Sequence, residues 1–290
     1  MLFMGVINVL KPTGWTSSDV VVKVKHLLKN YTGNKKIKVG HLGTLDPAGS
    51  GVLPICFGSA TRLFDYMVGQ DKVYRATFCF GKTTDTLDSY GVVVGECENI
   101  PTLDEITSKI GMFLGKIMQL PPKYSRISVG GIRACDAARD GKEIDIKPRQ
   151  VNVYSINILS YDDGVLTLDI HCSGGTYIRS ICRDLAVAVD SIAYMSSIIR
   201  LQNKNFFIEN AVTLDELKDN IEKHIISLED LFSDMPKVYV QGKESFQLLN
   251  GVKIANRGIK TDYIVVIDGK IFGICKDGDK NLEVVVRLWN

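Results

Sequence analysis

The segment Val39–Gly58, which reads VGHLGTLDPAGSGVLPICFG, carries the pattern on which the rest of the interpretation depends. Asp46 precedes Pro47, so its backbone is biased away from the helical region towards an extended conformation. Glycines surround this pair, which is typical of tight turns and of close approach by another backbone. The apolar run Val52–Phe57 that follows predicts a buried strand. The pattern therefore predicts one carboxylate on a rigid loop that leads into a core strand.

The charges around Asp46 are unevenly distributed. Residues 20–45 contain six lysines and no Asp or Glu, so Asp46 is the first carboxylate after Asp19. A lone carboxylate is a poor metal site, because hard cations need several oxygen ligands. Beside a basic segment it is better suited to act as a nucleophile or base towards a polyanion. The alternative is that Asp46 only caps a turn, as Asp before Pro often does, and the spacing alone leaves both open.

Length and charge distribution narrow the class of protein. A chain of 290 residues predicts about two domains, and 45% hydrophobic with 23% charged residues is ordinary globular composition. The net charge of +2 does not by itself indicate a nucleic-acid-binding protein. Basic residues are nevertheless concentrated, with eight Lys or Arg against four acids in Lys116–Arg149. Such a cluster suits a phosphate backbone, although an ordinary solvated face is the alternative.

The cysteine pattern and the N-terminal residues indicate in which cellular compartment the protein resides. The seven cysteines form no CxxC pair and no Cys/His cluster with zinc spacing, which predicts no metal site and fits a reducing cytosol. Residues 1–12 lack the basic region and cleavage site of a secretory signal, and no apolar run approaches membrane-spanning length. We therefore expect a cytoplasmic protein that does not enter a membrane.

Periodicity along the chain predicts a mixed α/β (α+β) fold. Strands are expected at Gly5–Val9, Asp71–Gly81, Val151–Ser160 and Val165–Cys172, and helices after Thr16, near Ser59, after Thr102, from Tyr177 and after Thr213. In the helix near Ser59, the residues Leu63, Phe64 and Met67 are expected to point inwards. Residues 194–207 are interpreted as a passage from helix to strand.

The composition also predicts domain boundaries. Residues 1–235 form the first predicted domain, and residues 236–290, rich in Val, Ile and Gly, form a small β-rich second domain. Within the first, a basic and loop-like segment at about 120–150 opens with two prolines and is interpreted as an exposed insertion. It contains one short helix candidate, near residues 134–140.

The residues alone leave the chemistry undecided. The candidates are Asp46, His41, Tyr74, Tyr177 and Arg179. Each also has a structural explanation: Tyr74 fits the core side of a strand, His41 fits a turn, and Tyr177 and Arg179 fit packing and pairing at a helix start. No Ser/His/Asp arrangement is recognisable, and no GxGxxG motif follows a strand.

Several motifs, in order, resemble those of one family. They are Lys11–Ser17, Gly40–Leu53, Lys72–Arg75, Gly81–Thr86, Gln119–Ser125, Ala138–Gly141 and Cys172–Ser180. Together they are similar to the TruB family, the bacterial-type tRNA pseudouridine synthases that act on uridine 55 of the TΨC arm. Their order and spacing cover residues from about 5 to 205. The resemblance implies a mixed-sheet pseudouridine synthase core with a thumb-like, RNA-gripping insertion and a C-terminal PUA-like RNA-binding domain, the last matching only loosely.

The resemblance also implies roles at the reacting base. Asp46 is expected to be the nucleophile or base that starts cleavage of the uridine glycosidic bond. Arg179 is expected to pair with Asp46 and hold it ionised and oriented. Tyr177 is expected to help remove the proton from C5 of the base late in the reaction. The isomerisation needs no metal and no cofactor.

Further residues are implied to bind the RNA. Tyr74 is expected to stack on the uracil, Leu201 to line the pocket, and His41 to enter the space left by the flipped base. Lys11 and the segment Lys116–Arg149 are expected to contact phosphates and position the TΨC arm of tRNA. A monomer is the default expectation for a protein whose partner is RNA.

The sequence departs from the family pattern at three places. The family usually has His at the position of Ser18, Ala-Leu-Lys at residues 126–128 (Arg-Ile-Ser here) and an aromatic residue at the position of Cys135, so details of the RNA grip differ.

Two other functions remain open from the sequence. One is a guide-RNA-dependent, dyskerin-like synthase, and the other is a tRNA-folding chaperone that binds the elbow without requiring catalysis. A glycosidase is disfavoured, because no second carboxylate partner for Asp46 is apparent.

Overall fold

The computed structural model describes residues 3–125, 127–142 and 144–289. The strands are β1 (Gly5–Lys11), β2 (Val39–His41), β3 (Gly49–Phe57), β4 (Lys72–Phe80), β5 (Lys82–Thr84), β6 (Val93–Glu96), β7 (Gly115–Gln119), β8 (Ser128–Val129), β9 (Ile132–Arg133), β10 (Arg149–Asp162), β11 (Val165–Cys172), β12 (Ala193–Asn203), β13 (Phe206–Phe207), β14 (Lys237–Val240), β15 (Tyr263–Ile267), β16 (Lys270–Asp277) and β17 (Leu282–Arg287). The helices are α1 (Ser17–Thr32), α2 (Phe64–Val68), α3 (Leu103–Ile110), α4 (Ala134–Arg139), α5 (Ile178–Ala188), α6 (Leu214–Asp219), α7 (Leu228–Leu231) and α8 (Gly242–Leu249).

The described residues form one large mixed sheet, a smaller C-terminal sheet and two sheets of two strands each, β5–β6 and β8–β9. The large sheet has the order β1-β3-β12-β4-β11-β10-β7, with β2 added to β3 and β13 to β12. Its pairs are antiparallel except β12 with β3. The C-terminal strands form a separate sheet of order β14-β15-β16-β17. The predicted mixed α/β class with a β-rich C-terminal part is therefore confirmed, whereas the boundary at residue 235 stays a prediction.

Strand β3 is apolar throughout because both of its faces are covered. Leu53, Ile55 and Phe57 pack into the main core, which also contains the buried face of α1. Val52 and Cys56, on the other face, belong to a second cluster shared with residues of the C-terminal sheet. A strand buried on both sides needs an unbroken apolar sequence, which explains the run after Asp46.

The local start signals for helices are confirmed. At α1 the Thr16 hydroxyl accepts a hydrogen bond from the Asp19 amide, while the Asp19 carboxylate accepts one from the Thr16 amide. The same reciprocal capping occurs at the N-termini of α3 and α6. Such boxes satisfy backbone donors that a helix leaves unpaired, so they fix where each helix begins.

Two sequence expectations are wrong. Residues 193–203 form the continuous strand β12, not a passage from helix to strand, because β12 is a central strand held between β3 and β4. Phe64 does not point into the core: 41% of its surface is exposed, whereas Leu63 and Met67 are buried as expected.

The predicted insertion lies between β7 and β10, which are neighbours in the sheet. It contains the small hairpin β8–β9 and the helix α4, close to the helix expected there. Arg126, one of the departures from the family pattern, lies outside the described residues. Among the helices of the described residues, none has both the length and the apolar composition needed to cross a membrane.

Candidate active site

The Asp46 loop, defined here as residues 42–49, is anchored through its backbone carbonyl groups. Asn203 Nδ2 donates to the Leu42 carbonyl oxygen (3.1 Å), and Arg200 donates to those of Gly43 (3.0 Å) and Thr44 (3.2 Å). Ser17 Oγ donates to the Leu45 carbonyl oxygen (2.7 Å), and Lys11 Nζ donates to that of Gly49. The Gly49 and Gly14 amides donate to the carbonyl oxygens of Asp46 (3.0 Å) and Pro47 (2.9 Å). The donors come from the end of β1, from the β1–α1 connection, from the start of α1, from β12 and from the loop itself. The backbone that carries Asp46 is therefore held in place before any substrate arrives, which is the arrangement that catalysis favours.

Arg200 on β12 is the central donor of this anchor. Its side chain is fully buried, and its guanidinium also donates to the carbonyl oxygen of Val52 at 2.7 Å. Within the described residues Arg200 has no carboxylate partner, so backbone carbonyls are what balance its charge. The backbones approach closely here: a Cβ on Gly51, whose φ is +104°, would lie 2.3 Å from the Arg200 carbonyl oxygen. Only glycine fits at that position.

The Asp46 carboxylate is paired with Arg179 at the start of α5. Arg179 Nη2 donates to Asp46 Oδ2 at 2.6 Å and to the Tyr124 carbonyl oxygen at 3.0 Å, and Nη1 donates to the Thr86 carbonyl oxygen at 2.9 Å. The two side chains differ in exposure, 5% for Arg179 and 43% for Asp46. The cation is therefore fixed inside the protein while the carboxylate it orients remains open to a ligand.

Tyr177 lies immediately before α5, where its peptide group is held from both sides. The Tyr177 amide donates to Gln119 Oε1 at 2.8 Å, and Gln119 Nε2 donates to the Tyr177 carbonyl oxygen at 3.1 Å. The guanidinium carbon of Arg149 lies 4.9 Å from the centre of the Tyr177 ring, within cation–π distance. The ring is thus half-buried in a fixed position two residues before Arg179.

The other predicted residues surround the same loop with different exposure. Tyr74 on β4 is 8% exposed, and burial raises the pKa of its phenol. Tyr74 is the register partner of Arg200 in the β4–β12 pair, and Leu201, next to Arg200, is half-buried. His41 ends β2 and lies edge-on to Phe64, with ring centres 6.1 Å apart. The large sheet therefore brings Tyr74 and Leu201 to the strand that anchors the Asp46 loop, and β2 leads directly into that loop.

The sequence matches one family over more than half of its length. The TruB family pseudouridylate synthase (N terminal domain) matches residues 29–178, which contain Asp46, Tyr74 and Tyr177. This chain belongs to the TruB family.

Curated TruB relatives match over almost the whole chain. A tRNA pseudouridine synthase B from Clostridium perfringens (strain ATCC 13124) is 40% identical over 97% of this chain and 97% of its own length. The protein of the same name from Clostridium novyi (strain NT) is 39% identical over 97% of this chain and 98% of its own. That from Caldanaerobacter subterraneus subsp. tengcongensis is 41% identical over 87% of this chain. The similarity thus includes the C-terminal part.

Solved structures share the fold. One is a crystal structure of a Cbf5–Nop10–Gar1 complex, with a TM-score of 0.73 and 24% identity, covering 98% of this chain and 85% of the other. A second, an H/ACA RNP bound to a substrate RNA containing 2′-deoxyuridine, has a TM-score of 0.70 and 22% identity, covering 99% and 85%. The TruB fold described above is thus also found in RNA–protein assemblies.

Sequence reasoning gave no role to two residues that contact Arg179 and Tyr177 in the candidate site. Asp88 is 6% exposed, lies 3.5 Å from Arg179 Nη1, and accepts hydrogen bonds from the Thr86 hydroxyl (2.7 Å) and the Tyr90 amide (3.0 Å). Gln119, 1% exposed, is the residue that clamps the Tyr177 peptide. Asp88 lies in the connection between β5 and β6, for which no role was expected, and Gln119 begins the motif Gln119–Ser125 but was given no role of its own. Neither role could be read locally, because each residue acts on one far away in sequence.

A cleft of about 860 Å³ separates the insertion from the core beside this site. Its walls include Tyr124 and Lys123 from the insertion, Asp85 from the connection between β5 and β6, and Arg183 from α5. Tyr124 also reaches the active site through its carbonyl oxygen, which accepts from Arg179. Within residues 3–125, 127–142 and 144–289, no group of three or more His, Cys, Asp or Glu side chains is arranged to hold a metal ion.

Lys11 does not lie where a phosphate contact requires it. Its side chain is fully buried, and the ammonium group donates to the carbonyl oxygens of Gly49 and Pro12, the latter at 2.9 Å. Burial lowers the pKa of Lys11 to about 8, and the charge of Asp46 opposes part of this shift. The expected phosphate contact is therefore wrong for this conformation. Lys11 instead ties β1 to the end of the Asp46 loop.

The lowered pKa of Lys11 predicts a pH-dependent contribution to stability. Between pH 8 and about 10.5 the unfolded chain keeps the Lys11 proton that the folded chain has lost, so the stability of the wild type rises with pH in this window. The unfolding free energy of the wild type minus that of Lys11→Met is expected to grow by about 2 kcal/mol from pH 8 to pH 10. Denaturant titrations at both pH values measure it.

The matched control is Lys109→Met, which removes an exposed lysine of α3 and is expected to show no such pH dependence. Subtracting each variant from the wild type cancels the titration of the other groups, including Lys72, whose pKa burial also lowers to about 8. A difference for Lys11→Met that shrinks as the pH rises would show that Lys11 gains a counter-charge on folding.

Proposed function

We propose that this protein isomerises uridine to pseudouridine at position 55 in the TΨC arm of tRNA. The observation that carries the proposal is the Asp46–Arg179 pair: a carboxylate open to a ligand, oriented by a buried guanidinium, on a loop whose carbonyl groups are anchored. The chain belongs to the pseudouridylate synthase family, and its relatives of about 40% identity are named tRNA pseudouridine synthase B. The position in tRNA rests on the sequence resemblance.

In this proposal Asp46 starts the reaction as nucleophile or base. The bond between N1 of uracil and C1′ of the ribose breaks, the base turns, and a bond between C5 and C1′ forms. The C5 proton then leaves with help from Tyr177, and N1 takes up a proton, so atoms and electrons balance without an external reactant. Arg179 keeps Asp46 ionised and pointed at the sugar, because the guanidinium at 2.6 Å favours the charged carboxylate.

The remaining site residues act on the flipped nucleotide. A target base inside an RNA loop must be unstacked, which costs a few kcal/mol. Tyr74 recovers part of this by stacking on the uracil, worth roughly 1–3 kcal/mol per base, and Leu201 lines the same pocket. His41 fills the space that the base leaves.

Other parts of the chain grip the RNA in this proposal. The insertion at residues 120–150 contributes Lys123, Arg133, Arg139 and Lys142, which reach phosphates from across the cleft. Residues 236–290 form a PUA-like RNA-binding domain, and the protein acts in the cytoplasm as a monomer. Ser18 is exposed on α1 and Cys135 lies in α4 of the insertion, so both departures from the family pattern fall on surfaces that hold the RNA and not on the chemistry.

Two other functions predict different behaviour. A guide-RNA-dependent synthase is suggested by the fold shared with the Cbf5 complexes, but the identity there is below 25%, against about 40% for proteins named tRNA pseudouridine synthase B. A tRNA-folding chaperone would need to bind the elbow but would not need an exposed carboxylate paired with a buried Arg.

The test is to map pseudouridine along an unmodified tRNA transcript after incubation with the protein alone, without guide RNA, metal or cofactor. Conversion of uridine 55 and of no other uridine is the expected result. A transcript with cytidine at position 55 is the matched control and is expected to stay unmodified. If the wild type binds the transcript but converts nothing, the stand-alone enzyme is excluded, and adding guide RNA then separates the other two functions.

A further inference from the structure

The two ends of the insertion meet in one cross-strand pair. The chain leaves the large sheet at the end of β7 and returns to it at the start of β10. Gln119, the last residue of β7, lies directly opposite Arg149, the first residue of β10, in the antiparallel register of these strands. Directly opposed residues on neighbouring strands are close enough for their side chains to act together. This pair, Gln119 and Arg149, is called the insertion base below.

Gln119 holds the backbone of Tyr177. Its side-chain amide accepts a hydrogen bond from the Tyr177 N–H at 2.8 Å and donates one to the Tyr177 carbonyl oxygen at 3.1 Å. These two groups lie on either side of the Tyr177 Cα, so bonding both to one side chain restrains both backbone dihedral angles, φ −101° and ψ 111°. Because Gln119 is buried, water competes little for the two bonds. The direction in which the Tyr177 side chain leaves the backbone is therefore set by Gln119.

Arg149 holds the ring of Tyr177 and the turn that precedes it. Its guanidinium carbon lies 4.9 Å from the ring centre, and its Nη2 donates to the Gly175 carbonyl oxygen. Gly175 has a φ of +83°, and a Cβ there would lie 3.2 Å from Arg149 Nη2. Glycine thus suits both the turn and the close approach of the guanidinium. A planar guanidinium can lie flat on an aromatic face, which an ammonium group cannot do.

No carboxylate balances the charge of Arg149. Among residues 3–125, 127–142 and 144–289, Arg149 has no ion-pair partner, and its buried Nε has no hydrogen-bond partner. A cation that is partly removed from water gains more from an aromatic face than a solvated cation does. The position of the Tyr177 ring beneath Arg149 is therefore favoured independently of the Gln119 bonds.

We propose that the insertion base is a positioning device for Tyr177 in the last chemical step, and this rests on the proposed function. In that step the C5–H bond of the rejoined base breaks, and its electron pair restores the C5–C6 double bond. The proton passes to the Tyr177 oxygen while the phenolic proton of Tyr177 leaves to water. Gln119 and Arg149 act through Tyr177 and not on the base. The insertion then has two roles, because its ends align a catalytic side chain while its outer part grips RNA.

The first test separates chemistry from binding. Gln119→Leu removes both hydrogen bonds to Tyr177, and Arg149→Met removes the guanidinium but keeps an unbranched side chain. Each is expected to lower the single-turnover rate at saturating enzyme about 10- to 100-fold, because a displacement of about 1 Å can cost 100-fold. The dissociation constant of the tRNA is expected to stay unchanged, since only the chemical step is affected. A wild-type rate for either variant would overturn the proposal.

Matched controls change similar side chains away from Tyr177. Asn157→Leu removes an exposed amide from the same strand, β10, and Arg75→Met removes an exposed guanidinium from β4. Both are expected to react as the wild type does. If Gln119→Leu fails to fold, Gln119→Glu takes its place, because one carboxyl oxygen still accepts from the Tyr177 amide. It is expected to lose less rate than full removal of the amide, and a wild-type rate for it would count against the proposal.

The second test identifies the affected step. Deuterium at C5 of the target uridine slows the breaking of the C5–H bond and no earlier step. Both insertion-base variants are expected to show a normal primary isotope effect on the single-turnover rate, since a misplaced Tyr177 makes this bond the slow one to break. A slower variant without an isotope effect would place the defect at an earlier step, at Asp46 or Arg179, and would overturn the proposal.

The third test excludes a phosphate contact as the role of Arg149. If Arg149 met a phosphate, Arg149→Met would make the slope of the logarithm of the binding constant against the logarithm of salt concentration shallower by about 0.7–0.9. An unchanged slope is the expected result, and a shallower one contradicts the proposal. Failure of the proposed function would appear as absence of pseudouridine with the wild type. Failure of this proposal would appear only in the variants, while the wild type still converts its substrate.

Discussion

Replacing Asp46 with asparagine is expected to abolish pseudouridine formation while tRNA binding stays within a fewfold of the wild type. Asparagine has the size of aspartate but can act neither as a nucleophile nor as a base at neutral pH. The single-turnover rate should therefore fall by at least about 10⁴-fold, as is usual when one member of a catalytic group is removed. The measurement is the time course of pseudouridine in a tRNA transcript with enzyme in excess.

The fold is expected to survive this change because the loop does not depend on the carboxylate. The anchors of the Asp46 loop act on its backbone, and Arg179 keeps the Thr86 and Tyr124 carbonyl oxygens and the nearby Asp88 as partners. The matched control is Asp169→Asn, which removes a surface carboxylate paired with Arg75 and should leave the rate unchanged. A rate for Asp46→Asn within tenfold of the wild type would exclude Asp46 as the initiating group.

What the sequence predicted correctly about the fold was mostly local. The capping boxes at Thr16, Thr102 and Thr213 each involve residues three positions apart, so they can be read directly from the chain. The alternation in β4 and the apolar run of β3 are also local patterns, set by which faces of the strand are covered. Local patterns thus located the strands β1, β3, β4, β10 and β11 and the helices α1, α3, α5 and α6.

Errors occurred where a distant part of the chain decides the conformation. β12 contains Ser196, Ser197 and the buried Arg200, which do not look like a core strand until β3 and β4 enclose them. Phe64 has the spacing of an inward residue, but α2 is only a short helix at the protein surface, and its ring turns towards His41. In both cases tertiary contacts override the local preference.

In the candidate site, too, sequence motifs predicted some residues, whereas contacts between distant parts of the chain decided the others. The resemblance supplied Asp46, Tyr177 and Arg179, and the structure brings Asp46 and Arg179 into contact. It gave no role to Asp88 or to Gln119, although Gln119 lies in one of its motifs, because each acts on residues distant in sequence. Lys11 was assigned to the RNA from its charge alone, but the fold buries it against Gly49. A charged residue's role depends on which way the fold turns its side chain, and composition does not contain that information.

Arg200→Met is expected to be among the most destabilising single changes in this protein. Methionine fills similar space but donates no hydrogen bond, so the buried carbonyl oxygens of Gly43 and Val52 and the partly buried one of Thr44 lose their partner. Leaving buried polar groups unpaired costs about 1–3 kcal/mol each, and these losses are not fully additive. The unfolding free energy should therefore fall by about 3–5 kcal/mol, measured by denaturant titration.

A second effect should accompany the loss of stability. The charge of Arg200 contributes to the lowered pKa values of Lys11 and Lys72, although burial is the larger cause for both. Removing that charge should raise both pKa values towards 10.5, and this relief of repulsion offsets a small part of the cost. NMR titration of the lysine side chains follows this shift separately from stability.

Arg75→Met is the matched control, because Arg75 lies on neighbouring β4 but is exposed, and Asp169 is its one ion-pair partner among the residues that the structure describes. A surface ion pair contributes little, so this variant should lose less than about 1 kcal/mol. If Arg200→Met is too unstable to purify, Arg200→Lys keeps the charge with fewer donors in reach and should show an intermediate loss. A loss of less than about 1 kcal/mol for Arg200→Met would mean that the Asp46 loop is held without Arg200. The rigidity of that loop would then have to come from the contacts of Lys11, Ser17 and Asn203.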